Sequence, residues 1–407
     1  MTEILLGSLV IVGLVLGLAT GLLLLRARLI PSTGVDIAVN DTLHIRAKRG
    51  DKLLEVLHNA EIRIPAACGG KGTCGLCRVE VTGDGAGTPL ATERGVLSPK
   101  ERRDHMRLAC QATLRGDCAV QVPDGILGAG GGFSCTVAST RMLAPLIREI
   151  VLDLPDGQPA TFRAGDYMQI TAPPFQLDFE THDLPEAFHD AWQIAGWHQM
   201  QVASDIEVTR AYSLASTPEN IGQAVFNIRL AVPPAGQEED IPPGLVSSWL
   251  FSLKRGDRVT ASGPFGEFHV QPGAREMVFV GGGVGMAPLR AMIHQELGHG
   301  TTRKIRYFYG ARTAADLFYR EEFDALAARH ANFSWTPALS DPAPGDRWTG
   351  PIGFIHEILH AGMGKTPAPE ECEYYLCGPP VMISAVLATL ERLGVDPGMI
   401  FFDDFGG

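Results

Sequence analysis

The 407-residue chain is long enough for roughly two to three domains, and with 45% hydrophobic residues it can build proper cores, which excludes disorder as its main theme. A net charge of -12 argues against a nucleic-acid partner, because neutralising phosphates needs clustered Lys and Arg. Eight cysteines are too sparse for a disulfide scaffold of this length, yet three crowd into residues 68–77, which points to metal ligation or thiolate chemistry.

The first element in chain order is apolar. From Ile4 to Leu25 there are 22 residues without a charge, which as a helix would extend roughly 33 Å, about the thickness of a hydrocarbon core. A cleaved signal peptide would need a basic start, a shorter apolar run and a small-residue exit. Here only Met1, Thr2 and Glu3 precede the run, and Arg26 and Arg28 follow it. The expectation is a single transmembrane helix at about 4–25 within an anchor over 1–33, its basic flank keeping the bulk of the chain in the cytoplasm. Gly13, Gly17 and Gly21 recur every four residues, so they share one helix face and let another helix approach closely.

Residues 34–127 read as a small α+β unit: strands at Asp36 to Val39, Leu43 to Ala47, Cys77 to Val81 and Ala119 to Val122 around a helix near Asp51 to Ala60. Cys68, Cys74 and Cys77 follow a C-x5-C-x2-C pattern, and Cys110 comes thirty-two intervening residues later. Four thiolates can hold a 2Fe-2S cluster, two per iron, and the interleaved Gly69, Gly70, Gly72, Thr73 and Gly75 let backbone amides approach it. A four-cysteine zinc site usually shows two C-x2-C pairs, and only one is present. Cys118, Cys135 and Cys372 have no partner pattern and read as buried thiols. The stretch resembles vertebrate-type and oxygenase-reductase 2Fe-2S ferredoxins of β-grasp fold, which share the five-residue spacing.

The glycine cluster Gly128 to Gly132 marks a turn, and alternating stretches such as Tyr167 to Thr171 and Val225 to Ala231 then predict an antiparallel barrel over 128–270. Within it, Arg210-Ala211-Tyr212-Ser213 resembles the R-x-Y-S motif of the ferredoxin-NADP reductase superfamily, whose barrel binds a flavin. Arg can pair with a phosphate, Tyr can stack on the isoalloxazine and Ser can hydrogen-bond near the reactive flavin nitrogen. In that superfamily the segment matched by Gly244, Val246, Ser247 and Ser248 opens a helix that holds the pyrophosphate. Gly263 to Phe268 closes the barrel as in its relatives, whereas Gly165-Asp166-Tyr167 departs from their Gly-Gln-Tyr.

From 271 to 407, apolar strands at Met277 to Val280, Ile305 to Tyr309 and Tyr374 to Cys377 alternate with helical patterns, the signature of a parallel α/β sheet. The turn containing Gly283, Gly285, Met286, Ala287 and Pro288 follows a strand and starts a helix, where a pyrophosphate meets amide donors. Arg312 and Cys377-Gly378-Pro379 follow at the superfamily's distances. The resemblance puts Cys377 beside the nicotinamide and makes Phe405 the C-terminal aromatic stacking on the flavin. NADH is favoured over NADPH because Arg312 alone cannot hold a 2′-phosphate. His356-Glu357-Ile358-Leu359-His360 is formally a zinc-protease string, but it lacks a third ligand in pattern and sits inside the nucleotide domain, so it reads as a surface helix.

Taken in order, an anchor, a ferredoxin, a flavin barrel and a nicotinamide domain resemble the family of NADH-oxidising F subunits of bacterial sodium-translocating NADH:quinone reductases, over essentially the whole chain. An insertion at 174–209 carrying Phe175, Phe179, Phe188, Trp192 and Trp197 sets the chain apart from soluble oxygenase reductases, and those aromatics are expected to be exposed as a second contact surface. The resemblance implies an inner-membrane electron-input subunit. It would oxidise NADH through FAD and the 2Fe-2S cluster, with other membrane subunits reducing quinone and pumping sodium, so that quinone is reached only indirectly. A membrane-anchored reductase feeding an oxygenase and a non-catalytic redox sensor are the alternatives.

Overall fold

The computed structural model describes residues 13, 17, 34–60, 62, 64, 66, 70–73, 75–122, 132–158, 162–182, 184–234, 236–237 and 241–404. Two compact units emerge, one over 1–64 and 70–128, the other over 65–69 and 129–407. The expected membrane helix at 4–25 lies outside the described residues, apart from Gly13 and Gly17, whose backbone is helical. No described helix is long and apolar enough to cross a membrane.

In the first unit, strand β1 (Gly34–Val39) alternates strictly, burying Val35, Ile37 and Val39, so one pleat face meets the core. It pairs antiparallel with β2 (Leu43–Lys48), and helix α1 (Leu53–Asn59) presses Leu53, Leu54, Val56 and Leu57 inward. β3 (Arg78–Thr82), β4 (Met106–Leu108) and β5 (Cys118–Gln121) complete a mixed sheet in the order β2-β1-β5-β3-β4, with β1 and β5 parallel. Two short helices absent from the sequence reading, α2 (Ala91–Val96) and α3 (Pro99–Arg103), lie between β3 and β4.

The second unit carries the expected barrel and parallel sheet. β6 (Phe133–Ala144), β7 (Ile147–Asp153), β8 (Tyr167–Ala172), β11 (Val208–Ser213), β12 (Gln223–Arg229) and β13 (Arg258–Phe265) form an antiparallel sheet in the order β11-β8-β13-β6-β7-β12. A bridge between Leu214 and Phe226 joins the two outer strands and closes it.

The insertion corrects one expectation. It folds as a hairpin of β9 (Phe175–Asp178) and β10 (Gln201–Ser204) spanned by helix α4 (Glu186–Ala195). Phe179 and Trp192 are fully buried, and Phe175, Phe188 and Trp197 pack partly buried on the same barrel core. Trp192 Nε1 donates to the Pro145 carbonyl at 2.7 Å, while its ring meets Trp197 edge-on at 5.9 Å. These aromatics are not an exposed contact surface. Ring burial on this scale dominates local energetics, so they extend the barrel's core.

The parallel sheet runs β16 (Phe333–Leu339), β15 (Ile305–Ala311), β14 (Met277–Gly282), β17 (Glu373–Gly378), β18 (Ile400–Asp404). β14 is buried at every position, as a central strand covered on both faces must be. Phe279, Tyr307 and Tyr375 face one core with Leu289, Met292 and Phe323, whereas Val280, Phe308 and Leu376 face another with Leu359 and Leu390. The helices that cover the sheet include α6 (Met286–Gly298), α7 (Arg320–Arg329), α8 (Ile355–Met363) and α9 (Pro380–Arg392), with α5 (Leu245–Ser252) belonging to the barrel. On α8, Glu357 accepts from the Phe354 amide at 3.1 Å as an N-terminal cap, and His360 is exposed. Among the described residues no cluster of His, Cys, Asp or Glu is arranged to hold a metal, and the zinc-protease string lies on α8 with Ile355 and Leu359 buried and Glu357 and His360 exposed.

Candidate redox sites

In the first unit the pairing of β3 with β4 brings two thiols together. Arg78 lies opposite Leu108, the Ala109 amide donates to the Cys77 carbonyl at 2.8 Å, and the Cys77 and Cys110 sulfurs stand 3.3 Å apart. That is well beyond the ~2.05 Å of a disulfide. Metal–thiolate bonds of ~2.3 Å at a tetrahedral angle separate two sulfurs by roughly 3.8 Å, so the pair fits one shared metal. Cys68 and Cys74 lie outside the described residues. The loop between them turns at Gly72 with φ of 80°, where a Cβ would stand 2.7 Å from the Gln111 side chain.

Two supporting groups escaped the sequence reading. Gln111 donates from Nε2 to the Gly70 carbonyl at 2.8 Å and reaches Cys110 Sγ at 3.5 Å, tying the glycine loop to the thiol pair. Glu93, fully buried, takes Arg107 Nε and Nη2 at 2.8 and 2.9 Å and also accepts the Leu108 amide at 3.1 Å. Burial alone would raise the Glu93 pKa, but the hydrogen bonds from Arg107 and the Leu90 and Leu108 amides outweigh it and hold the carboxyl below its ordinary range. The only hint in the sequence was that Arg107 stands three residues before a cysteine.

In the second unit β11 aligns Arg210, Tyr212 and Ser213 against β8. Arg210 is half-buried and donates from Nη1 to the Thr209 carbonyl at 2.8 Å. Tyr212 is also half-buried, and burial raises the pKa of its phenol. The Ser213 hydroxyl, almost wholly buried, donates to Asp403 Oδ2 at 3.4 Å, a partner 190 positions away that sequence spacing did not suggest. Phe405 lies outside the described residues. Beside this strand, Gly165 has φ of 99° and a Cβ there would fall 1.7 Å from the Phe268 carbonyl oxygen, so only glycine fits. Its neighbour Asp166, the departure from the relatives' pattern, is buried 3.6 Å from His269, and burial pushes its carboxyl pKa up.

Gly244 caps α5 with the Val246 side chain turned into the barrel core. Ser247 Oγ is engaged with the Gly244 carbonyl at 3.0 Å and the Ala231 amide at 3.2 Å, whereas Ser248 Oγ, fully buried, has no hydrogen-bond partner. A buried hydroxyl without a partner costs free energy, and a ligand acceptor at this helix start would satisfy it along with the first-turn amides. Gly283 turns at φ of 55° with open space around it. Gly285 is pressed on β17: a Cβ there would lie 2.0 Å from the Cys377 carbonyl oxygen. Met286 and Ala287 point into cores and Pro288 is buried, which leaves backbone rather than side chains for a ligand. Cys377 is fully buried, Gly378 is buried after it, and Pro379 is exposed at the start of α9. Arg312, exposed at the end of β15, pairs with the equally exposed Asp341 at 3.1 Å, so its charge is already partly answered. Cys135 and Cys372 are buried thiols pushed up to about 12 and about 11 by burial, and Cys118 is buried and raised likewise, so none is a reactive thiolate.

Paired thiols on a small mixed sheet, a helix start with an unsatisfied hydroxyl on a closed barrel and a glycine turn at the carboxyl edge of a parallel sheet are the three arrangements suited to holding a ligand. Residues 37–115 match the 2Fe-2S iron-sulfur cluster binding domain family, 182–270 the oxidoreductase FAD-binding domain and 279–387 the oxidoreductase NAD-binding domain, so the chain carries binding domains for all three groups. It is 43% identical to the F subunit of the Na(+)-translocating NADH-quinone reductase of Marinomonas sp., covering 100% of this chain and 99% of that one. With the corresponding F subunit of Neisseria meningitidis it shares 44% identity over 100% of both. Among solved structures, a cytochrome P450 reductase of Amycolatopsis aligns over 91% of this chain and 98% of its own, with a TM-score of 0.59 and 26% identity. A ferredoxin reductase in carbazole 1,9a-dioxygenase aligns over 92% and 98%, with a TM-score of 0.58, and at 24% identity shows the fold alone. The chain belongs to the family of Na(+)-translocating NADH-quinone reductase F subunits.

Proposed function

We propose that the chain is the electron-input subunit of a sodium-translocating NADH:quinone reductase, taking a hydride from NADH and delivering single electrons to partner subunits in the membrane. What carries the reading is that all three cofactor-binding segments lie in one chain that matches F subunits end to end. When bound, FAD accepts the hydride and releases electrons singly, and a 2Fe-2S cluster accepts one at a time. Cys77 and Cys110, with Cys68 and Cys74, supply the cluster's four thiolates. The Ser248 hydroxyl and the first amides of α5, that of Ser247 among them, would hold the flavin pyrophosphate, with Arg210 adding a cation and Tyr212 flanking the ring. The amides of the turn at Gly283 and Gly285 receive the NADH pyrophosphate, and Gly378 and Pro379 border the nicotinamide beside Cys377.

Ser213 orients the reacting ring through its hydroxyl, which Asp403 in turn orients at 3.4 Å. Ser213→Ala should therefore lower the limiting rate of flavin reduction about tenfold or more while leaving the NADH dissociation constant within about twofold. Stopped-flow absorbance reads both, and an unchanged rate would remove Ser213 from the mechanism.

The finer reading is an anchor over 1–33, a ferredoxin domain over 34–127, a flavin domain over 128–270 and a nucleotide domain over 271–407. A single helix near 4–25 then holds the protein in the bacterial inner membrane with its bulk cytoplasmic, and Gly13, Gly17 and Gly21 face a partner helix. Deleting residues 1–25 should move NADH oxidation with an artificial acceptor from the membrane to the soluble fraction and abolish quinone reduction. Membrane retention of the shortened chain would refute the anchor, and absence of NADH oxidation from both it and the full chain would refute the function.

A further inference from the structure

Where the helices of the parallel sheet meet the barrel runs a string of polar side chains to which no cofactor contact is assigned above. On the barrel, Arg141, Glu149 and Asn227 lie directly across from one another on β6, β7 and β12. Arg141 donates through Nε and Nη2 to the two Glu149 oxygens at 2.6 and 3.1 Å. From the nucleotide side, Tyr319 donates its hydroxyl to the same carboxylate and accepts from Asn227 Nδ2 at 2.8 Å.

Arg290 completes the crossing. Its guanidinium lies 4.5 Å from the centre of the Tyr319 ring, a cation–π distance. Nε and Nη2 grip Glu322 at 2.6 and 3.0 Å, and Nη1 donates to the Ala215 carbonyl at 2.6 Å. His294, one turn further along α6, meets the same Glu322 oxygen at 2.7 Å.

Three observations separate this string from ordinary surface pairing. Tyr319 holds φ of 58° and ψ of 19°, a left-handed conformation unfavourable for a bulky residue, so its tertiary contacts must fix it there. Arg290 sits in α6, the helix that begins at the glycine turn, and its barrel contact is the carbonyl two residues beyond Ser213. The Glu322 carboxyl is held at about 2, because the hydrogen bonds from His294 and Arg290 outweigh the upward push of burial. The bridge therefore stays ionised throughout the neutral range.

We propose that Tyr319 and Arg290 are positioning residues that lock the nucleotide domain onto the barrel and so set how closely a bound nicotinamide approaches a bound flavin. The inference rests on the reading that NADH reduces the flavin of this chain. Displacements near 1 Å far from the reacting atoms can slow a reaction about 100-fold, so a small loosening suffices.

The test is Tyr319→Phe, which keeps the ring and removes only the bridging hydroxyl, with Glu322→Gln as a second, isosteric break. In the full-length protein loaded with FAD and cluster, both should lower the limiting rate of flavin reduction about tenfold. Flavin content and the NADH dissociation constant should stay within about twofold. The long-wavelength charge-transfer absorbance formed when NAD+ stacks on reduced flavin should weaken, a signature that simple destabilisation would not move. Parental rates and parental charge-transfer absorbance in both variants would overturn the proposal, as would loss of flavin from both, which would make the bridge a folding requirement. An unmutated protein that NADH does not reduce would instead defeat the proposed function and leave the bridge to be judged by the charge-transfer band alone.

Discussion

Cys77→Ala and Cys110→Ala should each abolish the 2Fe-2S absorption and electron paramagnetic resonance signals while the flavin remains bound. The sulfurs are 3.3 Å apart, held there by the β3–β4 pairing and by the buried Glu93–Arg107 pair close by. Removing one leaves the metal on that side with an open position that alanine cannot fill. The flavin should stay because the barrel is built on a separate core in the other compact unit. Cofactor analysis and spectra of the purified variants check both halves. A normal cluster signal in either variant would exclude that residue as a ligand.

Gly285→Ala should cut NADH-dependent flavin reduction at least about 100-fold. One added carbon would fall 2.0 Å from the Cys377 oxygen and 2.3 Å from its carbonyl carbon, both backbone atoms of a central strand. Neither can rotate away, so the turn must lift from β17 and carry its amide donors with it. The flavin and cluster should be unaffected, because the clash is confined to the parallel sheet. Anaerobic stopped-flow reduction with NADH, alongside reduction by dithionite as a control that bypasses the turn, separates a lost coenzyme site from a lost flavin. Parental kinetics would show that the turn tolerates a side chain and that its close packing on β17 does not govern coenzyme binding.

What the chain disclosed in advance depended on how local the signal was. The turn at Gly283 to Gly285 and the strand at Asp36 to Val39 are each written within ten residues and led to the element found, whereas of the C-x5-C-x2-C motif only Cys77 lies among the described residues. β14 was recognisable as a strand because its apolar run, Met277 to Val280, meets glycines after four residues. The helices α2 and α3, at six and five residues, are too short to show a 3.6-residue period. Long-range partners left little trace: nothing near Ser213 indicates Asp403, and for Glu93 the one hint is that Arg107 stands three residues before Cys110. The insertion was misjudged for a different reason. A long connection is ordinarily a surface feature, so its aromatics were expected outside, and only the tertiary packing of Phe179 and Trp192 reveals that this one is half interior.

That burial makes Trp192 an optical gauge of the barrel. Its indole is 1% exposed and its N–H is committed to the Pro145 carbonyl at 2.7 Å, so any opening of the barrel end changes both the polarity around the ring and the fate of that proton. The residues from 174 to 209 consequently cannot be exchanged between reductases as a cassette, because excising them would uncover a hydrophobic wall that the other strands do not cover.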